Sequence, residues 1–282
     1  MTATLLNGKK IAKKIEEEVK TELSRLKSKP TLSFILVGDD NPSKIYVEAK
    51  ERACHRVGIE SKDVFLSKET SESELLDVIN KLNKDSSING ILIQLPLPKG
   101  ISEESVFSAI NPNKDVEGFH PMNAGKLFMF GDESLAPCTP KGIINLLEHY
   151  SIPIKGKNVV IINNSAVVGK PLCIMLTKRF ATVDLCHIKT SNLRKHTLTA
   201  DIIISATGKA KLITSDMVKK GAIIVDAGIS KINNIINGDV DTEAVKEIAS
   251  FISPVPGGVG PMTIAMLLKN MVILEKLRKN KI

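Results

Sequence analysis

Aromatic residues are scarce in this 282-residue chain, with two tyrosines, eight phenylalanines and no tryptophan, 4% in all. So few rings leave little to stack against bases. The net charge of +8 is strung along helical stretches (Lys9, Lys10, Lys13, Lys14; Lys276, Arg278, Lys279) among acidic neighbours. That pattern argues against nucleic acid as a partner, and the attraction of an anionic small substrate accounts for it equally well. Cysteine is sparse too. Cys54, Cys138, Cys173 and Cys186 show no Cys-x-x-Cys spacing, so neither a zinc site nor a disulfide framework is expected, and a reducing compartment fits. No apolar run reaches the ~18 residues of a membrane span. The best stretch, Met262 to Leu277, is interrupted by Lys269, Asn270 and Glu275. The opening MTATLLNGKK lacks the apolar region of a secretory signal. The expectation is a soluble, cytoplasmic protein without membrane contact.

What is present is an ordinary globular composition, 43% hydrophobic and 25% charged. The length is generous for one core and predicts two domains. Strand-like and helix-like segments alternate, which predicts an α/β protein with largely parallel sheets. Ile11, Ile15, Val19, Leu23 and Leu26 recur at helical spacing. There follow a strand at Thr31–Val37, a helix at Ser43–Val57, a strand at Val64–Leu66, a helix at Ser73–Leu82 and an apolar strand at Gly90–Gln94. After a helix near Glu103–Ala109, the stretch Asn111–Thr139 is rich in Gly, Pro and Asn and reads as irregular. A helix at Pro140–Tyr150 leads into a second series: strand Val159–Ile162, helix Gly169–Arg179, and strands Thr182–Cys186, Ile202–Ser205 and Ala222–Asp226. A last helix covers Pro261–Lys279.

Six places carry chemistry. Tyr46 and Lys50 are four apart on a helix and share a face. A Lys in a partly desolvated cleft can move protons, although the pair also reads as a surface Lys beside a core Tyr. Gln94, at the exit of a parallel strand, offers both a donor and an acceptor where ligands collect; it could equally satisfy a turn. Lys114-Asp115-Val116-Glu117 lies in a Gly/Pro loop suited to a cationic or amide-rich substrate edge, or simply to solvent, and His120 reads as a hydrogen-bonder in that loop. Asn163 to Pro171 forms a strand-turn-helix turn of the kind that holds nucleotide phosphates. Only Gly169 survives of a G-x-G-x-x-G pattern, and Asn163 stands as a residue that tolerates left-handed backbone. At the next strand end, His187-Ile188-Lys189-Thr190 is basic where an NAD site presents an acid, which favours NADP, although His187 and Lys189 could equally be a solvated strand end. The Pro/Gly loop Ser253 to Thr263 lets backbone amides approach a ligand closely.

In order and spacing these segments resemble the bifunctional methylenetetrahydrofolate dehydrogenase/methenyltetrahydrofolate cyclohydrolase family over nearly the whole chain. The likeness rests on Val37-Gly-Asp-Asp40 with Ser43-x-x-Tyr46-x-x-x-Lys50, Gln94-Leu-Pro-Leu-Pro98, Lys114-Asp-Val116, Pro137-Cys-Thr-Pro140 and the run Pro254 to Thr263. It implies a folate-binding catalytic domain over 1–139, a Rossmann-like NADP-binding domain over 140–262, and a C-terminal helix over 263–282 returning to pack on the first domain. It also implies that Tyr46 stacks on the folate ring, that Lys50 is the acid/base group of hydrolysis tuned by Gln94, and that Asp115 completes this catalytic set in the loop shaping the folate site. Glu117, Pro256, Gly257 and Gly258 would join Tyr46 at the substrate. Asn163, Asn164, Ser165, Val168, Gly169, His187, Lys189, Thr190, Thr207, Gly208 and Ile229 would hold the cofactor, NADP, with NAD as the alternative. The family further implies a homodimer, no metal, and a place in tetrahydrofolate interconversion and purine biosynthesis. Three positions depart from its usual pattern: Glu117 for Asp, Asn163-Asn164-Ser165 for a Gly-x-Ser turn, and Ile188 after the strand-end His. The competing readings are an unrelated nicotinamide oxidoreductase using Tyr46 and Lys50 and a basic binding protein without catalysis. Short-chain dehydrogenases share that spacing, but there the pair follows the nucleotide turn; here it precedes it.

Overall fold

The computed structural model describes residues 2–232 and 235–279. It begins with β1 (Thr4–Leu5), α1 (Gly8–Leu26), β2 (Thr31–Val37), α2 (Asn41–Val57), β3 (Glu60–Leu66), α3 (Glu72–Lys84) and β4 (Gly90–Ile93). Three helices follow in succession, α4 (Glu103–Ala109), α5 (Pro121–Phe130) and α6 (Cys138–His149). The alternation then resumes with β5 (Asn158–Ile162), α7 (Gly169–Lys178), β6 (Thr182–Cys186), α8 (Leu193–Thr197), β7 (Ile202–Ser205) and β8 (Ile223–Asp226). A hairpin of β9 (Ser230–Ile232) and β10 (Ile235–Asn237), then α9 (Thr242–Val245), β11 (Phe251–Ile252) and α10 (Val259–Lys279), complete the chain. Two compact units emerge, neither contiguous in sequence: one takes 1–13, 127–133 and 137–266, the other 14–126, 134–136 and 267–282.

The second of these units is built on a three-stranded parallel sheet in the order β3-β2-β4. Central β2 is buried along nearly its whole length, as a parallel strand covered on both faces must be. Its polar Ser33 is satisfied by donating to the Lys62 carbonyl. Helix α2 starts where the Asp40 carboxylate accepts the Ser43 amide at 2.9 Å, and stops at Gly58, whose φ of 87° only glycine adopts freely. Helix α3 opens on a reciprocal capping box between Ser71 and Glu74. The later turns of α10 belong to this unit. There Asn270 Nδ2 donates to the Val116 carbonyl, and buried Glu275 accepts from Ser28 and Asn89.

The first unit carries a six-stranded, all-parallel sheet in the order β1-β11-β8-β7-β5-β6. Its central strands β8, β7 and β5 read as Ile/Val runs because both their faces are covered. Helix α7 packs beside β5 and β6 and against α6, while Ile203, Ile213, Ile224, Val240, Val245 and Ile252 fill a core cluster with Val160 and Ile162. Each such residue contributes ~1.5–3 kcal/mol by leaving water.

The long elements and the parallel pairing match the periodicity of the sequence. Several shorter features differ. The stretch expected to be irregular contains α5, whose Met122, Phe128, Met129 and Phe130 are exposed. A helix without an apolar stripe toward a core gives no periodic signal, although Pro121 at its first position is a proper helix starter. Strand β3 begins at Glu60, not Val64; it is an edge strand, and its Glu60 and Lys62 face water. β1 and β11, at two residues each, are too short to show a pattern. None of the described helices is long and apolar enough to cross a membrane.

Candidate active site and nucleotide platform

In the unit carrying the three-stranded sheet, the pattern of α2 buries Val47 and Ala53 and leaves Lys50 at its margin, 9% exposed. Gln94 follows β4, its backbone amide still in register as a donor to the Ile35 carbonyl. Its side-chain Nε2 donates to the Leu95 carbonyl at 2.7 Å, which turns Oε1 toward Lys50. Lys50 Nζ then donates to Gln94 Oε1 and to Glu117 Oε1, each at 3.2 Å. The ammonium is thus fixed by one neutral and one anionic acceptor. Burial pushes the Glu117 carboxyl above the ordinary carboxylate range, the charge on Lys50 opposes that, and Asp115 adds to it. Tyr46 lies one turn before Lys50, half-buried, and burial raises its phenol. The arrangement can shuttle protons: an amine in a restricted pocket, an amide that orients it, and a carboxyl whose charge is costly to hold there.

Asp115 has a different station. Its carboxylate, 1% exposed, accepts from the amides of Gly118 (2.9 Å), Phe119 (3.1 Å) and His120 (2.8 Å) and from Asn123 Nδ2 (2.8 Å). Four donors use up a carboxylate's capacity, so Asp115 shapes the loop that presents Glu117 and has no oxygen left over for a reacting group. Lys114 is also committed locally, donating to the carbonyls of Leu82, Asn83 and Asp85 and so closing the C-terminus of α3. His120 Nδ1 accepts the Met122 amide at 3.0 Å.

The remaining candidates belong to the other unit. Asn163 directly follows β5, and its backbone is not left-handed. Its value lies in the side chain. Oδ1 accepts from Ser165 N (2.9 Å), Ser165 Oγ (2.8 Å) and Gly169 N (3.0 Å), while Nδ2 donates to the Ala206 carbonyl at 2.6 Å. Ser165 Oγ in turn accepts the Val168 amide. One amide therefore ties the β5 turn to itself, to the start of α7 and to the end of β7. Gly169 is required by closeness, since a Cβ there would lie 1.7 Å from the Asn163 carbonyl oxygen. Asn164 is exposed on the outer edge of the turn.

Past β6, Thr190 Oγ1 accepts the His187 amide at 2.8 Å and His187 Nδ1 accepts the Lys189 amide at 3.1 Å. This small closed turn leaves Lys189 exposed and Ile188 97% exposed. Gly208 holds a φ of 71° in the turn after β7, and Ile229 is 42% exposed. In the Pro/Gly loop, Gly258 N donates to the Pro254 carbonyl, and the Gly257 carbonyl accepts the Lys9 amide; Pro256 is exposed. The structure thus brings Lys50, Gln94 and Glu117 together around one nitrogen, and Ser165 and Gly169 around the Asn163 amide, with Val168 on the Ser165 hydroxyl. Asp226 and Asp239, which no motif singled out, are buried beneath the Thr207 turn. Their only trace in the sequence is a glycine beside each: Asp226-Ala-Gly228 and Gly238-Asp239.

Comparison with known proteins gives a consistent match. Residues 6–117 match the tetrahydrofolate dehydrogenase/cyclohydrolase catalytic domain, and residues 137–279 match the NAD(P)-binding domain of the same family. The bifunctional protein FolD of Methanosarcina barkeri is 54% identical over 272 residues, 95% of this chain and 94% of that protein. The FolD of Aquifex aeolicus is 51% identical over 95% of this chain and 94% of its own length. Among solved structures, the Campylobacter jejuni FolD methylenetetrahydrofolate dehydrogenase/cyclohydrolase superposes with a TM-score of 0.94 at 49% identity, covering 98% of this chain and 99% of that one. The Trypanosoma brucei enzyme, solved with NADP and an inhibitor, gives a TM-score of 0.95 at 31% identity over 99% of both chains.

Proposed function

This chain belongs to the tetrahydrofolate dehydrogenase/cyclohydrolase family, and on that premise we propose that it oxidises 5,10-methylenetetrahydrofolate with NADP and hydrolyses the methenyl product to 10-formyltetrahydrofolate. The observation that carries the reading is the nitrogen of Lys50, held between Gln94 and Glu117 in a chain about half identical to FolD proteins. The domain roles follow: folate over 1–139, nucleotide over 140–262, with the helix of 263–282 packed on the first. Residues 280–282 of that helix lie outside the described residues.

Bound NADP supplies the acceptor for the hydride that leaves the methylene carbon. The residues present fit a dinucleotide. The Asn163–Gly169 turn meets the N-terminus of a ten-residue helix in a parallel sheet, and exposed Lys189 supplies positive charge for a 2′-phosphate. For hydrolysis, water bonds to the methenyl carbon and releases one proton to solvent. The Lys50 ammonium gives a proton to N5 as the carbon–N5 bond breaks, and the amine so formed takes the hydroxyl proton as the formyl carbonyl forms. Gln94 and Glu117 keep Nζ aimed through both steps, and Tyr46 offers its ring to the pterin. The same reading carries a cytoplasmic homodimer that feeds formyl groups to purine biosynthesis.

The test is a spectrophotometric assay with methylenetetrahydrofolate and each nicotinamide cofactor. It should show reduction of NADP with greater efficiency than NAD. Equal efficiencies would remove Lys189 and His187 as the basis of choice. No turnover with either would leave the Tyr46/Lys50 oxidoreductase acting on some other substrate.

A further inference from the structure

Asp226 and Asp239 face each other through two glycines in the unit with the six-stranded sheet. The Asp226 carboxylate accepts the amides of Gly228 (2.9 Å), Asp239 (3.0 Å) and Val240 (2.9 Å). Asp239 Oδ2 accepts Ser205 Oγ at 2.7 Å and the Thr207 amide at 2.6 Å. The interlock is reciprocal: a Cβ on Gly228 would sit 1.9 Å from Asp239 Oδ1, and one on Gly238 would sit 2.0 Å from Asp226 Oδ2. Both acids are essentially without solvent, at 1% and 0% exposure. Asp239 Oδ1 is buried with no hydrogen-bond partner among the described residues.

Such a pair is expensive. Two neighbouring carboxyls shut away from water lose solvation and repel each other, and burial pushes Asp226 up to about 6. The sheet would be better served by apolar residues if only stability mattered. What the acids provide is direction. Asp239 grips the backbone of the turn after β7 at Thr207, directly beyond the carboxyl end of a central parallel strand, where ligands of open sheets bind. Asn163 grips the same turn one residue earlier, at the Ala206 carbonyl. The turn is thereby set between an amide from β5 and a carboxylate from the strand-to-helix segment before α9.

We propose that Asp239 is a positioning residue for hydride transfer, fixing the Thr207-Gly208 turn against which the nicotinamide cofactor docks. Asp226 acts one step behind it, holding the Asp239 backbone. The proposal rests on the nucleotide reading given above.

The experiment uses the full-length protein. Asp239→Ala removes the acceptor, and Asp239→Asn keeps one oxygen for the two donors. With Asp239→Ala the KM for NADP should rise about tenfold or more, within the ~10²-fold that a misplacement of about an ångström can cost. Hydrolysis of methenyltetrahydrofolate supplied without nucleotide should stay within about twofold, and Asp239→Asn should recover most of the NADP affinity. Unchanged KM in Asp239→Ala, or parallel loss of both activities, overturns the proposal. Should Asp239→Ala not fold, amide hydrogen exchange on the unaltered protein decides. The Thr207 amide must be protected before NADP is added, and free exchange there overturns the idea. If the unaltered protein neither binds nor reduces NADP, it is the nucleotide reading that has failed instead.

Discussion

Lys50 and Glu117 show how far one methylene can matter. With Glu in place of the family's usual Asp, the carboxylate reaches the ammonium at 3.2 Å and shares it with Gln94. Lys50→Met should slow hydrolysis of methenyltetrahydrofolate by ~10²–10⁴-fold, the contribution of a general acid–base group, while hydride transfer falls much less because it depends on orientation. Methenyl absorbance should then persist when that compound is supplied and accumulate when it is generated from methylenetetrahydrofolate; normal hydrolysis in the mutant removes Lys50 from the mechanism. Glu117→Asp should shift folate affinity by less than about tenfold, ~1.4 kcal/mol, because the Asp115-anchored loop can move a little to restore the contact. Tighter binding beyond that, by titration calorimetry, would mean the native Glu is a handicap. The residues of this site are largely legible in the sequence, since helical spacing puts Tyr46 and Lys50 on one face and Gln94 ends an obvious strand. The anionic partner of Lys50 is not. Nothing in the local pattern tells whether Asp115 or Glu117 turns inward, because that is settled by four hydrogen bonds that close over Asp115.

At the level of elements, the turn from β5 into α7 replaces a glycine-rich loop with side-chain hydrogen bonds. The sequence points to Asn163 as a source of left-handed backbone; it supplies an acceptor and a donor instead, and only the spacing to Ser165 and Gly169 hints at that. Gly169→Ala should disrupt this turn, because its methyl would overlap the Asn163 carbonyl. The expected outcome is loss of NADP binding by calorimetry of about tenfold or more, at the scale of an ångström's displacement in a binding turn. An alanine variant with unaltered affinity would show that the turn can open without consequence. Strands buried on both faces announce themselves as Ile/Val runs. By contrast, α5 and the two-residue strands stay silent because burial and pairing, not local pattern, define them.

Over the whole molecule, stability responds to pH through Asp226. Its native carboxyl is raised from 3.8 to about 6, first by burial and least by Asp239, against three backbone amides. Between those values the folded state binds the proton that the unfolded state releases, so this group's contribution is full below ~4 and is lost as pH rises to about 6. A displacement of that size is worth about 3 kcal/mol. Urea unfolding of the natural protein and of Asp226→Asn should therefore differ by about that much more at pH 7 than at pH 4, to the natural protein's disadvantage; a pH-independent difference would refute the assignment. The two-unit plan is legible only as two runs of alternating elements, since the interleaving of segments depends on which distant strands pair. That interleaving has a consequence for synthesis. A chain emerging from the ribosome exposes Thr4 and Leu5 early, yet their parallel neighbours Phe251 and Ile252 appear only near its end. The Val116 carbonyl likewise waits for Asn270. The six-stranded unit cannot close before residue 266 is made, and the other waits for 267–282, so a gene divided at 139/140 would encode two fragments, each lacking a piece carried by its counterpart.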